Sequence, residues 1–253
     1  GSALGDYDND GDLDWFVSSI WNPIEQKAYK GGTTGNRLYN NDGQGNFSDA
    51  TDRAGVRQGY WGWGACFADF NNDGWLDIFH TNGMRTGQIA EESQVGQFYE
   101  DPSRLFINNQ DGTFSEKSLD WGITHTGQGR GISCLDFDND GDVDIIIANN
   151  GAGPTLYSNN NLSGSGYLSV KLVGKLGNPD GVGAKIIVQT GQMQQLREIR
   201  LGSNYLSNDP LVAHFGLGLN SVVDKLTVIW PDGQKQQLKN VPANKHMMIT
   251  YKE

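Results

Sequence analysis

Asp69-Phe70-Asn71-Asn72-Asp73-Gly74-Trp75-Leu76-Asp77 has two counterparts in the chain, Asp6-Tyr7-Asp8-Asn9-Asp10-Gly11-Asp12-Leu13-Asp14 and Asp136-Phe137-Asp138-Asn139-Asp140-Gly141-Asp142-Val143-Asp144. Their starts lie 63 and 67 residues apart. A second pattern recurs between them, Asn36-Arg37-Leu38-Tyr39-Asn40-Asn41 and Ser103-Arg104-Leu105-Phe106-Ile107-Asn108-Asn109, with a partial third copy at Thr155-Leu156-Tyr157-Ser158-Asn159-Asn160. The two full copies lead through Gly-containing turns into Asn46-Phe47-Ser48-Asp49 and Thr113-Phe114-Ser115-Glu116. Self-similarity at a near-fixed period marks a repeat architecture.

Within one period the alternation predicts four short strands, in the middle copy 65–70, 75–81, 104–108 and 113–117. Asn-Asp-Gly and Asp-Gly supply the hairpin turns. Four antiparallel strands per repeat make a propeller blade, and rings close with four to eight blades. About three blades are present, and the first lacks the lead-in that the others have. The expectation is an incomplete ring, either the C-terminal part of a longer protein or one that a partner closes.

From Ser165 the pattern changes. Acidic loops stop, and longer amphipathic strands are predicted over 167–173, 184–190, 196–201, 225–230 and 246–251, with turns at 178–181 and 231–233. The fold class read from this is all-β: a partial β-propeller of four-stranded blades over 1–160, then a β-sandwich or barrel domain over 165–253. The Ser/Gly/Asn run at 158–166 is the junction.

Charge follows the same division. Residues 1–164 carry 24 Asp+Glu against 9 Lys+Arg, whereas residues 165–253 carry 6 against 10. So acidic a front half argues against a nucleic-acid partner. Glycine, at 35 residues, is about twice its usual share, but no G-x-y period accompanies it and collagen is excluded. The 26 aromatic residues argue against disorder, and no apolar run is long enough for a transmembrane helix.

The acids are clustered, and the spacing D-x-D-x-D-G-x-x-D suits a hard divalent cation. Calcium takes six to eight oxygens, and glycine at the sixth place allows the turn that brings the first, third and fifth side chains together. The seventh residue offers its backbone carbonyl and the ninth a further carboxylate. The candidate ligands are Asp6, Asp8, Asp10, Asp14 and the Asp12 carbonyl; Asp69, Asn71, Asp73, Asp77 and the Trp75 carbonyl; and Asp136, Asp138, Asp140, Asp144 and the Asp142 carbonyl. An EF-hand would need Glu at the twelfth place, where Val17, His80 and Ile147 stand. A calcium loop inside a β-hairpin remains, with an Asp/Asn-rich turn without metal as the alternative. Eleven carboxylates at the side-chain ligand positions of three loops would repel without a counter-cation. About three Ca²⁺ ions are expected. Magnesium tolerates such many-ligand sites poorly.

These loops, with the stretch 62–77, resemble the FG-GAP/VCBS repeats of calcium-binding propellers. The resemblance extends to the cartilage acidic protein family and its bacterial relatives, in which such repeats precede an ASPIC/UnbV-type domain. That domain is matched in Gly181-Val182-Gly183-Ala184, Leu201-Gly202-Ser203-Asn204-Tyr205-Leu206-Ser207, His214-Phe215-Gly216-Leu217-Gly218, Val228-Ile229-Trp230-Pro231-Asp232-Gly233 and Asn244. Asn71 departs from the pattern where an acid is usual. The resemblance implies a secreted or surface protein of adhesion or matrix type, with protein or glycan partners and no agreed reaction.

Enzyme signatures are absent. His80, His125, His214 and His246 show no metal-ligand spacing, and no G-x-S-x-G occurs. His214 is expected to be a hydrogen-bonded core residue. Carboxylates that hold calcium are unavailable as acid or base. The reading is a non-catalytic extracellular calcium-binding module; the alternatives are a carbohydrate-binding or enzyme-accessory module, and a self-assembling filament subunit. The aromatic run 59–63 is expected to pack between blades. Asn46 and Asn161 begin N-glycosylation triplets, a weak signal in an Asn-rich chain. Cys66 stands three residues before Asp69 and Cys134 two before Asp136, which puts them on opposite strand faces. They are therefore expected to be unpaired, buried small hydrophobes.

Overall fold

The computed structural model describes residues 1–21, 34–84, 98, 100–160 and 163–252. The fold is all-β, with propeller-type repeats; its one described α-helix is the single turn Thr51–Ala54. The first sheet runs β1 (Ser2–Gly5), β2 (Asp14–Val17), β3 (Arg37–Asn41), β4 (Phe47–Asp49) in simple order. The second repeats it with β5 (Gly62–Ala68), β6 (Asp77–Asn82), β7 (Arg104–Asn108) and β8 (Phe114–Glu116). The third contains β9 (Gly129–Leu135), β10 (Asp144–Asn149) and β11 (Thr155–Tyr157). Each aspartate loop joins the first two strands of its sheet. Residues 75 and 76 belong to the turn, so the second strand starts at Asp77, later than the apolar pattern predicts.

The sheets stack face to face, and the registers show how. Phe67, Ile78 and Phe106 lie side by side across β5–β7, and pack in one cluster with Ala3, Phe16 and Leu38 of the first sheet. Cys134, Ile145 and Tyr157 form the same stripe on the third sheet, against Cys66, Phe79 and Leu105 of the second. The equivalent stripe on the first sheet is Leu4, Trp15 and Tyr39. It is not covered: Leu4 is 39% and Trp15 40% exposed.

This stacking corrects the expectation for the cysteines. Cys66 and Cys134 form a disulfide between β5 and β9. They do occupy opposite strand faces, but neighbouring blades meet through opposite faces, so opposite phase brings them together.

Beyond residue 163 lie two more sheets. One orders β15 (Val212–Gly218), β12 (Gly166–Val173) and β18 (Lys245–Thr250); the other orders β14 (Met193–Glu198), β13 (Lys185–Thr190), β16 (Val222–Ile229) and β17 (Lys235–Pro242). Both feed one core that includes Leu172, Ile186, Val188, Phe215, Leu226, Val228 and Ile249. Sequence alternation gave no strand bounds for β15 and missed β17. The first is interrupted by glycines, and the second is a polar edge strand with little apolar period. The strand predicted over 196–201 lies earlier, at Met193–Glu198.

The segment 200–209 leaves this core and lies along the innermost strands. Asn204 N donates to Ser2 O at 3.2 Å, and Asn204 Nδ2 to Ile132 O at 3.1 Å. Ile132 N donates to Ser207 Oγ and Cys134 N to Asp209 Oδ1. Backbone groups on the free edges of β1 and β9 are thereby satisfied.

Candidate metal centres

Each loop turns through the same backbone. Its sixth residue is glycine at φ 96°, 95° and 96° (Gly11, Gly74, Gly141), and its fourth is asparagine at φ 57°, 56° and 63° (Asn9, Asn72, Asn139). The left-handed region favours these two residue types.

In the first loop Asp6, Asp8 and Asp14 each place an oxygen within 4.8 Å of the others. Asp6 is fully buried, and both its carboxylate oxygens lack a hydrogen-bond partner among the described residues, as do Asp8 Oδ1 and Asp12 Oδ1. Burial pushes Asp6 up to about 7, against the opposing pull of the Arg197 charge. Asp14 is pushed up to about 8, again by burial, although Tyr7 N and Asn41 N donate to it. Leaving such acceptors unpaired is costly, and a divalent cation would satisfy them. This donor set fits calcium.

The third loop gathers Asp136, Asp138 and Asp144 in the same way. Asp136 accepts from Asp140 N and Gly141 N, and Asp140 from Asp142 N. Asp136 and Asp144 are both raised by burial. The second loop places Asn71 where the others have acid, so it does not bring three carboxylates together. Asp69 accepts from Asp73 N and Gly74 N, while Asp73 accepts from Asn71 Nδ2, Gln110 Nε2 and Trp75 N. Asp69 is still pushed up to about 7 by burial, with Asp73 adding to the rise. Asp77 is raised well above the carboxylate range, chiefly by burial, with Asp69 adding to it.

Three asparagines escaped the sequence reading. Asn41, Asn108 and Asn159 close the recurrent Arg-Leu-Tyr-Asn-Asn pattern, and each donates its backbone N–H to the ninth-position aspartate of its own sheet. Their side chains donate to Leu13 O, Leu76 O and Val143 O, the eighth residue of each loop. Their recurrence at one place in all three copies was the available signal.

His214 lies against the second loop, with Nε2 at 2.7 Å from Asn72 Oδ1. Burial lowers it to about 3, so it is neutral. A Ser103–His125–Asn149 series at the opposite end has contacts of 3.2 and 2.7 Å. Ser103 is completely buried and its hydroxyl also meets Thr81, an arrangement that ties strands together. Aromatics of the 59–63 run are engaged in packing: Arg104 covers Tyr60, Trp61 meets Phe98, and Trp63 lies between Arg130 and Tyr205. Asn46 is exposed and donates to Asp42; Asn161 falls outside the described residues. No helix among the described residues is long and apolar enough to cross a membrane.

A hairpin loop rich in aspartate, repeated three times in register and followed by two further sheets that share one core, defines an all-β repeat protein. The FG-GAP-like repeat model matches residues 6–80 and 95–147, and the ASPIC and UnbV model matches 174–253. The chain belongs to the FG-GAP-like repeat family and carries an ASPIC and UnbV domain. It is 30% identical to cartilage acidic protein 1 of Xenopus tropicalis, over 92% of this chain and 34% of that protein. It is also 30% identical to the Homo sapiens protein of that name, over 96% of this chain and 34% of the relative. The Mus musculus protein is 27% identical over 79% of the chain. The chain thus spans about a third of the length of these relatives.

Proposed function

We propose that the chain is a calcium-stabilised run of four-stranded propeller blades followed by a β-sandwich domain, serving outside the cell as a non-catalytic adhesion, matrix or surface-assembly module. The carrying observation is Asp6, fully buried with both oxygens unpartnered and the oxygens of Asp8 and Asp14 beside it. The ligands would be the side chains at positions 1, 3, 5 and 9 of each loop. Bound calcium would supply the positive charge that these carboxylates lack. The disulfide supports an oxidising compartment, and millimolar extracellular calcium keeps even modest sites filled. The relatives' printed name, cartilage acidic protein, supports a matrix setting.

Calorimetric titration of the metal-free chain with Ca²⁺ tests this reading. Three ions per chain are expected, the second loop binding most weakly because Asn71 lowers its charge. Absence of binding at millimolar calcium would remove the calcium reading.

A second reading, assembly with a further sheet of the same repeat, is favoured by the exposed Leu4–Trp15–Tyr39 stripe. Its equivalents on the other two sheets are buried against a neighbouring blade. Sedimentation of the chain and of Trp15→Ser tests it: association that the substitution abolishes is the expected result, and a monomer at all concentrations would reject self-assembly.

A further inference from the structure

Neighbouring repeats are hydrogen-bonded at their loops in both directions. Forward, Asn9 Nδ2 donates to Gly74 O at 3.1 Å, and Asn72 Nδ2 donates to Gly141 O at 3.0 Å. The donor is the fourth residue of one loop, and the acceptor is the sixth residue of the following loop. Backward, Asn108 Nδ2 donates to Tyr7 O at 2.9 Å and Asn159 Nδ2 to Phe70 O at 2.8 Å. These acceptors are the second residue of the preceding loop. The pattern recurs at both junctions, so it belongs to the repeat and not to one contact.

Asn72 has further partners. It is 1% exposed. Its Nδ2 also donates to Asp142 Oδ1 at 2.8 Å, its Oδ1 meets His214 Nε2, and its backbone carbonyl accepts from Gly218 N at 2.8 Å. Since Nδ2 is the donor toward the third loop, Oδ1 is an acceptor and His214 carries its proton on Nε2. The same face of the C-terminal sheets presses on the third loop itself. A side chain at Gly141 would collide with the Tyr167 ring, and His246 Nε2 lies 3.6 Å from Asp136 Oδ2. One asparagine therefore touches the second loop, the third loop and β15.

We infer that the loops take up cations cooperatively, and that Asn72 is the positioning residue that links the second and third loops to each other and to docking of the C-terminal sheets. The inference rests on the proposed calcium reading. An ion in the third loop that takes the Asp142 carbonyl and the Asp140 side chain would hold both neighbours of Gly141, whose carbonyl Asn72 grips, and ordering that carbonyl orders Asn72. Linkage makes the effect reciprocal: docking of β15 strengthens cation binding, and cation binding strengthens docking.

Asn72→Gly tests it, because glycine keeps the left-handed backbone and the carbonyl that receives Gly218 N while removing the side chain. Calcium titration of the intact wild-type chain should show a Hill coefficient above 1. The variant should bind the same number of ions with that coefficient lowered, the first and second loops remaining linked through Asn9, and third-loop affinity about three- to tenfold weaker. Hydrogen exchange gives a second readout: calcium should slow exchange of the Gly218 amide in the wild type, and much less in the variant. Independent sites in the wild type, or unchanged cooperativity and affinity in the variant, would overturn the coupling while leaving calcium binding intact. No calcium uptake at all would instead reject the reading beneath it. Should the variant not fold, a Gly218 amide indifferent to calcium in the wild type overturns the coupling by itself.

Discussion

The first and second aspartate loops share a backbone and differ in how their buried charge is met. Asp6 and Asp69 occupy the same place, both are shielded from water, and burial pushes both up to about 7. Around Asp69 the loop closes on itself, with two backbone amides donating to one carboxylate and three donors serving Asp73. In the first loop both Asp6 oxygens stay unpaired, as do Asp8 Oδ1 and Asp12 Oδ1, while Asp10, the counterpart of Asp73, accepts from Asp12 N. A turn geometry is therefore separable from the demand for a cation. The shared glycine and asparagine set the turn, while the third residue and the donors reaching in from neighbouring strands set the demand.

The largest expected effect concerns what ties the second loop's sheet to the third. Reducing Cys66–Cys134 opens a cross-link spanning 68 residues, worth about 4 kcal/mol on loop-closure entropy. Thermal melts with and without reductant should show a marked loss, and the second and third loops should lose calcium affinity more than the first. Equal weakening of all three would mean the disulfide acts only on global stability.

Site by site, calcium comes next, at about 2.7 kcal/mol each at one hundred times Kd. The sign with pH follows from the carboxylates. In the metal-free folded chain Asp6 titrates at about 7 and Asp14 at about 8, above the ordinary 3.8. Between about pH 4 and 8 the folded state then holds more protons than the unfolded state, so stability falls as pH rises. In chelator, Tm should drop from pH 5 to pH 8, and the gain from added calcium should grow over that range. A chelated Tm that rises with pH would contradict the unpaired state of the first loop.

The smallest change sharpens the comparison. Asn71→Asp gives the second loop the acid pattern of the first, and should tighten calcium there by up to about tenfold while weakening the metal-free chain slightly. Unchanged affinity in titration would show that the third position does not separate the loops.

Much of this organisation was legible in the residues. The repeat period, the hairpin turns and the shared backbone of the aspartate loops follow from local patterns that recur in every copy. The cysteine pairing did not. Strand phase gives the face on which a residue lies, but not which face meets which neighbour, and Cys66 and Cys134 were misread for that reason. The bounds of β15 and the whole of β17 were hidden because glycine and edge-strand polarity erase the period of two. The roles of Asn72 and Asn159 depend on contacts between blades, which spacing within one copy cannot encode.

The segment 200–209 has a consequence for biosynthesis. Edges of β1 and β9 are covered by residues some 200 and 70 positions later in the chain, through Asn204, Ser207 and Asp209. During synthesis these blades emerge before residues 200–209, and their inner strands wait with exposed backbone donors and acceptors until that segment arrives. Open strand edges recruit other strands, so this interval is when nascent chains are most prone to pair with one another. Truncations that remove the segment should accumulate as aggregates even where the loops and the disulfide can still form.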